Sequence, residues 1–228
     1  MTVKKHVDGI LKILNEHYPK ELVDHPKELP GFLNYNTPFE LLIATILSAQ
    51  CTDERVNIVT ELLFKKYPSV QSFATADVTE LEKDIKSIVF CKKKAQNIID
   101  TAKTILREYD GQVPNELSKL IKLAGVGRKT ANVVIGNIYK IPSIVVDTHV
   151  KRISKRWGFT RSDDPTKVEY DLMELLPEDN WISYNIQLIM HGRNICVAKK
   201  PRCLDCMFIG CCPYGLSKLY KELPEEVK

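Results

Sequence analysis

The stretch "LAGVGRKTANVV", Leu123–Val134, decides how the middle of this chain folds. Helical periodicity precedes it in "NELSKLIK" and continues after it in "RKTANVVIGNIYK", so the two glycines predict a tight turn between two helices. Glycine permits positive φ and close approach of another backbone. The N–H groups that begin the second helix have no partner within the helix, and such an end binds phosphate. The turn Gly125–Arg128, with Val126 and Gly127 between them, is therefore a candidate phosphate contact. A glycine pair alone is also typical of a purely structural turn.

Most of the remaining chain has helical periodicity, which predicts an all-α fold. "VDGILKILNEHY" places four apolar residues on one face, and "PFELLIATILSAQCT" is apolar almost all round, as in a buried central helix. "PKELVDHPKELPGFLNYNTP" is rich in Pro and Asn and is interpreted as a linking loop. Further helices are predicted in "DERVNIVTELLFKKY", "SFATADVTELEKDIKSI", "KKKAQNIIDTAKTILREYDG", "THVKRISKRWGFT", "DPTKVEYDLMELLP" and "ISYNIQLIMHGRNIC", whereas "SIVVD" is read as a buried extended connection.

Composition limits the class of protein. The 228 residues carry a net charge of +4 and are 44% hydrophobic and 27% charged, as in an ordinary globular protein. No apolar run approaches the roughly 20 residues that a membrane span needs. The N-terminus resembles an amphipathic helix more than a signal peptide. We therefore expect a cytoplasmic protein without a membrane partner.

Asp147 ends the apolar run "IPSIVVD" and precedes a predicted helix. It is a candidate N-cap, which is a structural role. A second interpretation pairs it with Lys129. A neutral lysine amine is a nucleophile, and a nearby carboxylate stabilises positive charge that develops at a sugar carbon. The sequence alone does not bring the two side chains together.

A basic stretch follows Asp147. "THVKRISKRWGFTR", Thr148–Arg161, contains five Lys or Arg residues and no acidic residue. It fits a solvated helix face and also a surface along which DNA runs.

Five of the seven cysteines crowd the C-terminal end, which in a cytoplasmic protein favours a metal over disulfides. Six residues separate Cys196 from Cys203, two separate Cys203 from Cys206, and five separate Cys206 from Cys212. These unequal gaps favour an iron–sulfur cluster over zinc without excluding zinc. Cys211, next to Cys212, leaves the fourth ligand open. The first gap contains Lys199, Lys200 and Arg202, which a pinned loop would present to phosphates.

Together these motifs resemble the endonuclease III family of DNA glycosylases, in the helix–hairpin–helix–GPD superfamily. The resemblance runs through "TPFELLIATILSAQCTD", "LAGVGRKTANVV", "VDTHVKRISKRW" and "HGRNICVAKKPRCLDC". It implies two helical domains that flank a DNA-binding cleft. One, residues 31–141, would be a six-helix bundle with the helix–hairpin–helix motif. The other, residues 1–30 and 142–228, would hold a [4Fe-4S] cluster on Cys196, Cys203, Cys206 and Cys212.

The resemblance also implies roles for single residues. Lys129 matches the Schiff-base lysine and Asp147 the essential aspartate. Gln50 matches the residue that fills the space of a flipped base, and Phe90 matches an apolar wedge where the family often has leucine. Thymine-mismatch relatives have tyrosine at the position of Lys129. The implied activity is excision of damaged, oxidised pyrimidines from double-stranded DNA, followed by β-elimination that nicks the strand 3′ to the abasic site.

We expect such an enzyme to act as a monomer on nucleoid-associated DNA. The sequence leaves two alternatives open. One is a non-catalytic DNA-binding module with a structural or redox-sensing cluster. The other is a monofunctional glycosylase that uses water in place of Lys129. The preferred lesion and any redox role of the cluster are not predicted.

Overall fold

A computed structural model of the protein describes residues 3–23 and 26–222, and these residues form helices and connecting loops without a strand. The all-α prediction is therefore confirmed. The chain folds into two compact units, one of Met1–Asp24 with Pro142–Lys228 and the other of His25–Ile141. None of the described helices is long and apolar enough to cross a membrane.

The unit of His25–Ile141 is built around one buried helix. Its described α-helices are α3 (Pro38–Ser48), α4 (Asp53–Lys66), α5 (Val70–Ala74), α6 (Val78–Asp84), α7 (Cys91–Glu108), α8 (Leu117–Leu120) and α9 (Arg128–Tyr139). Thr37 caps α3 by accepting a hydrogen bond from the amide of Glu40, and every residue from Leu41 to Leu47 is buried. This helix packs against α4, α7 and α9. The prediction of a buried central helix is confirmed.

The predicted number of helices in this unit differs from the observed number. The described residues contain seven α-helices instead of six, because "SFATADVTELEKDIKSI" forms two short helices and not one. The break lies before Asp77, whose side chain accepts a hydrogen bond from the amide of Glu80 at 2.9 Å and so starts α6. An aspartate at an N-cap favours a new helix start over continuation of the preceding helix.

The linking segment is more ordered than predicted. It contains the short helix α2 (Lys20–Val23) and a 3-10 turn over Pro26–Glu28. Its later part packs on α4, because Asn57 Nδ2 donates to the carbonyl of Phe32 at 2.7 Å and Asn57 Oδ1 accepts from the amide of Asn34 at 2.9 Å. The compact unit begins at His25, earlier than residue 31. The domain limits 31–141, and 1–30 with 142–228, remain a prediction about functional domains.

The other unit joins the N-terminal helix to the C-terminal third of the chain. Its described helices are α1 (Val3–His17), α2, α10 (Thr148–Trp157), α11 (Pro165–Leu175), α12 (Trp181–Asn194) and α13 (Pro213–Glu222), with a 3-10 turn over Glu178–Asn180. Val7, Ile10, Leu11 and Leu14 are buried on one face of α1, as predicted. Trp157 and Phe208 pack in the same core with ring centroids 4.8 Å apart. The sequence analysis did not predict α13.

Candidate nucleic-acid interface and metal centre

The helix–turn–helix forms where it was predicted, between α8 and α9, and its two glycines differ. Gly125 has φ +75°, and a Cβ there would lie 2.6 Å from Asn97 Nδ2. The turn is also tied to α7, because the hydroxyl of Thr101 donates to the carbonyl of Ala124 at 2.9 Å. Only glycine satisfies both the backbone conformation and the close approach at position 125.

Gly127 has no such internal requirement. Its φ of −91° and ψ of 174° are ordinary extended values. A Cβ at this position would meet no heavy atom within 4 Å. The positive φ that glycine permits is therefore used at Gly125 and not at Gly127. Gly127 is the N-cap of α9, so open space lies at a helix end that has no side-chain cap.

Lys129 is the second residue of α9, with its side chain exposed. Val126 is buried in the core of the unit and anchors the turn, and Arg128 is partly buried. Lys129 is thus an exposed residue one position after the start of the helix and two positions after Gly127.

Asp147 is the N-cap of α10, as the structural interpretation predicted. Its Oδ1 accepts a hydrogen bond from the amide of Val150 at 2.8 Å. The residues before it, Ile144, Val145 and Val146, are buried and lie outside any helix, and Asn185 Nδ2 donates to the carbonyl of Val145 at 3.3 Å. This confirms the predicted buried connection. Asp147 and Lys129 belong to different units, so their pairing remains a prediction.

Gln50 and Phe90 share an unusual backbone conformation. Their φ values are +60° and +59°, and both residues are exposed, Phe90 to 63%. Left-handed backbone costs a non-glycine residue free energy, and such residues concentrate at functional sites. The two loops are adjacent, because the amide of Val89 donates to Cys51 Sγ at 3.3 Å. The resemblance in sequence identifies both residues as candidates, and no feature of the sequence predicts their left-handed conformation.

The four predicted cysteine ligands line one cavity, together with Trp157 and His191. Three further contacts surround the sulfurs. Arg156 Nη1 donates to Cys196 Sγ at 3.1 Å, the amide of Gly215 donates to Cys212 Sγ at 3.3 Å, and His191 Nε2 lies 3.7 Å from Cys206 Sγ. Cys211 is absent from the cavity wall and donates to the carbonyl of Phe208 at 3.4 Å. The geometry therefore favours Cys212 over Cys211.

The described residues hold no group of three or more His, Cys, Asp or Glu side chains placed to bind a single metal ion. Burial raises the pKa of the Cys206 thiol to about 11, with the other three cysteines contributing to the rise. Burial lowers the pKa of His191 to about 4, with Arg152 adding to the effect, so this ring is neutral. A bound metal supplies the positive charge that keeps such buried sulfurs as thiolates.

Much of the basic stretch faces the cysteine segment. Arg152 Nε donates to the carbonyl of Cys196 at 3.2 Å, and Arg156 donates to the carbonyls of Val197 at 2.9 Å and Ala198 at 3.0 Å. These two arginines fix the backbone that leads into the loop, so they do not form a solvated face or a free DNA surface. The sequence analysis could not identify their partners, which lie more than forty residues along the chain.

The loop after Cys196 exposes Lys199, Lys200 and Arg202. Its ends are held together by a hydrogen bond from the amide of Arg202 to the carbonyl of Ile195 at 3.0 Å. Arg202 Nε also pairs with Asp205 Oδ2 at 3.1 Å, which reduces its free charge. The two lysines are therefore the stronger candidates for phosphate contact.

Residues 43–178 match the family described as HhH-GPD superfamily base excision DNA repair protein. The chain is 45% identical over 211 residues to endonuclease III of Synechocystis, covering 92% of this chain and 93% of that protein. It is 44% identical over 192 residues to endonuclease III of Bacillus subtilis, covering 84% and 88%.

Solved structures give the same result. One is a trapped covalent intermediate of endonuclease III with DNA, an estranged-adenine complex. It matches with a TM-score of 0.86 at 40% identity, over 96% of this chain and 100% of that one. A thermostable thymine-DNA glycosylase matches with a TM-score of 0.79 at 22% identity, over 93% and 98%, which shows a shared fold alone.

Proposed function

The chain belongs to the endonuclease III family of the helix–hairpin–helix–GPD superfamily, and we propose that it excises oxidised pyrimidines from double-stranded DNA and nicks the strand 3′ to the resulting abasic site. It is a DNA glycosylase and AP lyase of base excision repair. The proposal covers the oxidised-pyrimidine lesion, the β-elimination step and the residues that carry out the chemistry.

The start of α9 supports a role in DNA positioning. The first amides of a helix carry a partial positive charge and bind phosphate. At Gly127 a phosphate can approach the backbone, because no heavy atom lies within 4 Å of where a Cβ would be. In this proposal the turn from Gly125 to Arg128 holds the DNA backbone without reading its sequence, and Lys199, Lys200 and Arg202 add further phosphate contacts.

Gln50 and Phe90 support a role in base flipping. An enzyme that acts on a base in a duplex must move it out of the stack, and side chains that enter the vacated space stabilise the distorted duplex. Both residues are exposed and left-handed, and their loops are joined through Val89 and Cys51. In this proposal Gln50 fills the space of the flipped base and Phe90 wedges the opposite strand.

The chemical steps are assigned to Lys129 and Asp147. The lone pair of the Lys129 amine forms a bond to sugar C1′, and the glycosidic bond breaks with its electron pair leaving on the base, which takes up a proton. Asp147 stabilises the positive charge that develops on the sugar. The nitrogen then loses a proton and the C1′–O4′ bond breaks, with O4′ taking up a proton, so that the sugar ring opens to an imine. The protonated imine acidifies the C2′ proton. Loss of that proton and cleavage of the C3′–O bond then complete the β-elimination.

The cysteine centre fits an iron–sulfur cluster, because the four cysteines line one cavity and their unequal spacing along the chain favours a cluster over a single zinc ion. A [4Fe-4S] cluster would be held by Cys196, Cys203, Cys206 and Cys212. Bound there, it would cross-link the C-terminal segment. Arg152 and Arg156 hold the same segment from the side of α10. The role assigned to these residues is to keep the basic loop in place.

The observation that carries the proposal is the position of Lys129, an exposed amine at an open helix start in a chain of this family. Borohydride reduction during reaction with an oxidised-pyrimidine duplex tests it. We expect a covalent protein–DNA adduct that Lys129→Ala abolishes. Base release without an adduct would indicate a monofunctional glycosylase, and no release would indicate a non-catalytic DNA-binding module. A panel of lesions compared by kcat/KM then defines the preferred base.

The metal assignment has a separate test. We expect a brown protein with about four irons and four acid-labile sulfides per chain. Cys212→Ala should lose the iron, whereas Cys211→Ala, the matched neighbour, should retain it. A colourless protein with stoichiometric zinc would overturn the cluster. We also propose that the enzyme acts as a monomer on nucleoid DNA, which light scattering and fractionation can check.

A further inference from the structure

Lys94 is a lysine in an unusual place. It lies in the first turn of α7 and is 6% exposed, although it follows two exposed lysines in "KKK". Lysine is almost never buried unless its ammonium group is paired. A role in the fold or at the site must therefore account for its burial.

The ammonium group of Lys94 is held by the end of the central helix. Its Nζ donates to the carbonyl of Leu47 at 2.8 Å and to the carbonyl of Ala49 at 2.7 Å. The last carbonyls of a helix have no partner within the helix and carry a partial negative charge. Ala49 is the C-cap of α3, and Gln50 follows it directly. Lys94 therefore closes the end of α3 just before the chain enters its left-handed conformation at Gln50.

The backbone of Lys94 is joined to the second loop. Its amide donates to the carbonyl of Phe90 at 3.0 Å, in the first turn of the helix that Phe90 caps. The hydrogen bond from Val89 to Cys51 Sγ joins the same two loops a second time. Burial lowers the pKa of Lys94, and the nearby Cys51 thiol acts in the opposite direction, consistent with a group enclosed between the loops.

We infer that Lys94 is a positioning residue for base flipping, which sets the spacing between Gln50 and Phe90 so that both side chains enter the duplex together. This inference rests on the proposed function of those two residues. Lys94 does not contact DNA in this scheme. Its effect passes through the carbonyls of Leu47 and Ala49 on one side and through the start of α7 on the other.

A structural role alone predicts a different outcome. If Lys94 served only stability, its replacement would lower the melting temperature, and the folded fraction would insert its side chains and excise bases as the wild type does. If it sets the spacing of the loops, a folded variant would still bind duplex through the hairpin and the basic loop, and it would fail to hold the duplex open.

The experiment uses the full-length protein and a duplex with 2-aminopurine opposite an oxidised pyrimidine, or opposite a reduced abasic site. The variant is Lys94→Met, which keeps the length of the side chain and removes the donor. Lys93→Met removes the same charge from an exposed position on the same helix. Ile105→Val is a second control, which shortens a fully buried side chain of α7 away from the loops. Folding is checked by circular dichroism and melting temperature.

For the wild type we expect base excision and a rise in 2-aminopurine fluorescence. For Lys94→Met we expect duplex affinity close to that of the wild type, loss of the fluorescence rise, and single-turnover excision about 100-fold slower, the scale of a misplacement of about 1 Å. Lys93→Met and Ile105→Val should keep the fluorescence rise. If Lys94→Met does not fold, Lys94→Gln, which keeps a single donor group, takes its place in both measurements.

Wild-type fluorescence and excision in the folded Lys94 variant would overturn the inference, as would an equal loss in either control. Slow excision with the fluorescence rise intact would also overturn it, because insertion would then be independent of Lys94. If the wild type itself does not excise the base, the proposed function fails first. The inference fails on its own when the wild type excises the base and the folded Lys94 variant shows the same excision rate and the same fluorescence rise.

Discussion

The N-termini of α9 and α10 each lie beside a predicted catalytic residue, and they are built in opposite ways. At α10 the predicted residue is itself the cap, because Asp147 Oδ1 accepts the amide of Val150 at 2.8 Å. At α9 the cap is Gly127, which has no side chain and has open space over it, and Lys129 lies two residues further on. A closed helix start orients a carboxylate, whereas an open one accepts an anion from outside. In the proposed function, the N-terminus of α10 orients a catalytic carboxylate, whereas the N-terminus of α9 accepts a phosphate of the DNA.

The largest effect is expected at the closed helix start. Asp147→Asn should keep the fold, because asparagine caps a helix about as well as aspartate. It should reduce single-turnover base excision by about 10²–10⁴-fold, since the negative charge is lost. The measurements are excision rate, duplex affinity and melting temperature.

A matched control for this change exists in the same unit. Asp164 caps α11 by accepting the amide of Lys167 at 2.8 Å, so Asp164→Asn makes the same chemical change at another helix start. We expect wild-type excision from it. Equal losses of affinity and excision in Asp147→Asn would show that Asp147 is structural, and the contrast between the helices would disappear.

The next effect concerns the glycine that the fold requires. Gly125→Ala should lower the free energy of unfolding by about 1–3 kcal/mol, because φ is +75° and the new Cβ would lie 2.6 Å from Asn97 Nδ2. Urea unfolding measures the change. Adding Asn97→Ala should recover the part that comes from the close contact and leave the part that comes from the backbone. No recovery would mean that the turn moves to accommodate the methyl group.

The open helix start predicts a different result for the second glycine. Gly127→Ala should lower the free energy of unfolding by no more than about 1 kcal/mol, the cost of the poorer N-cap, since its φ is −91° and no heavy atom lies within 4 Å of the new Cβ. It should weaken binding to duplex by about tenfold, or roughly 1.4 kcal/mol, because the methyl group occupies the space proposed for a phosphate. Fluorescence anisotropy measures the affinity. Unchanged affinity would contradict the idea that a ligand uses this space.

The smallest expected effect concerns the hydrogen bond from Thr101 that supports the turn. Thr101→Val removes the hydrogen bond to the carbonyl of Ala124 and should cost about 1 kcal/mol in the free energy of unfolding. Thr60→Val is the control, because the buried Thr60 hydroxyl donates to Val56 within its own helix. We expect the control to change stability less. A similar cost for both variants would indicate that the Thr101 hydrogen bond does not specifically support the turn.

The sequence predicted those parts of the fold that depend on local periodicity and caps. The apolar face of α1 and the burial of α3 follow from residue order alone. The short helices were missed for local reasons. Pro and Asn obscure α2, and α13 begins immediately after Cys212, where the metal motif dominated the interpretation.

The candidate site was less predictable, because its decisive contacts are distant in sequence. Lys94 belongs to a run of three lysines that is typical of a surface, and only the packing of α3 against α7 brings helix-end carbonyls to it. Arg152 and Arg156 belong to a stretch that also fits a DNA-facing stripe, yet their partners lie in the cysteine segment. Periodicity identifies which side of a helix is buried. It does not identify the polar groups of other segments that contact that side.

The division of one unit between both ends of the chain has a consequence for synthesis on the ribosome. Domains fold as units, N-terminal first, while the chain is made. Here the apolar face of α1 packs with Ile153, Trp157 and Leu188, and His6 Nε2 lies 2.9 Å from the carbonyl of Trp157. α1 can therefore complete its packing only after the whole of the other unit has been synthesised. During that interval its four buried apolar residues have no native partner in their own unit.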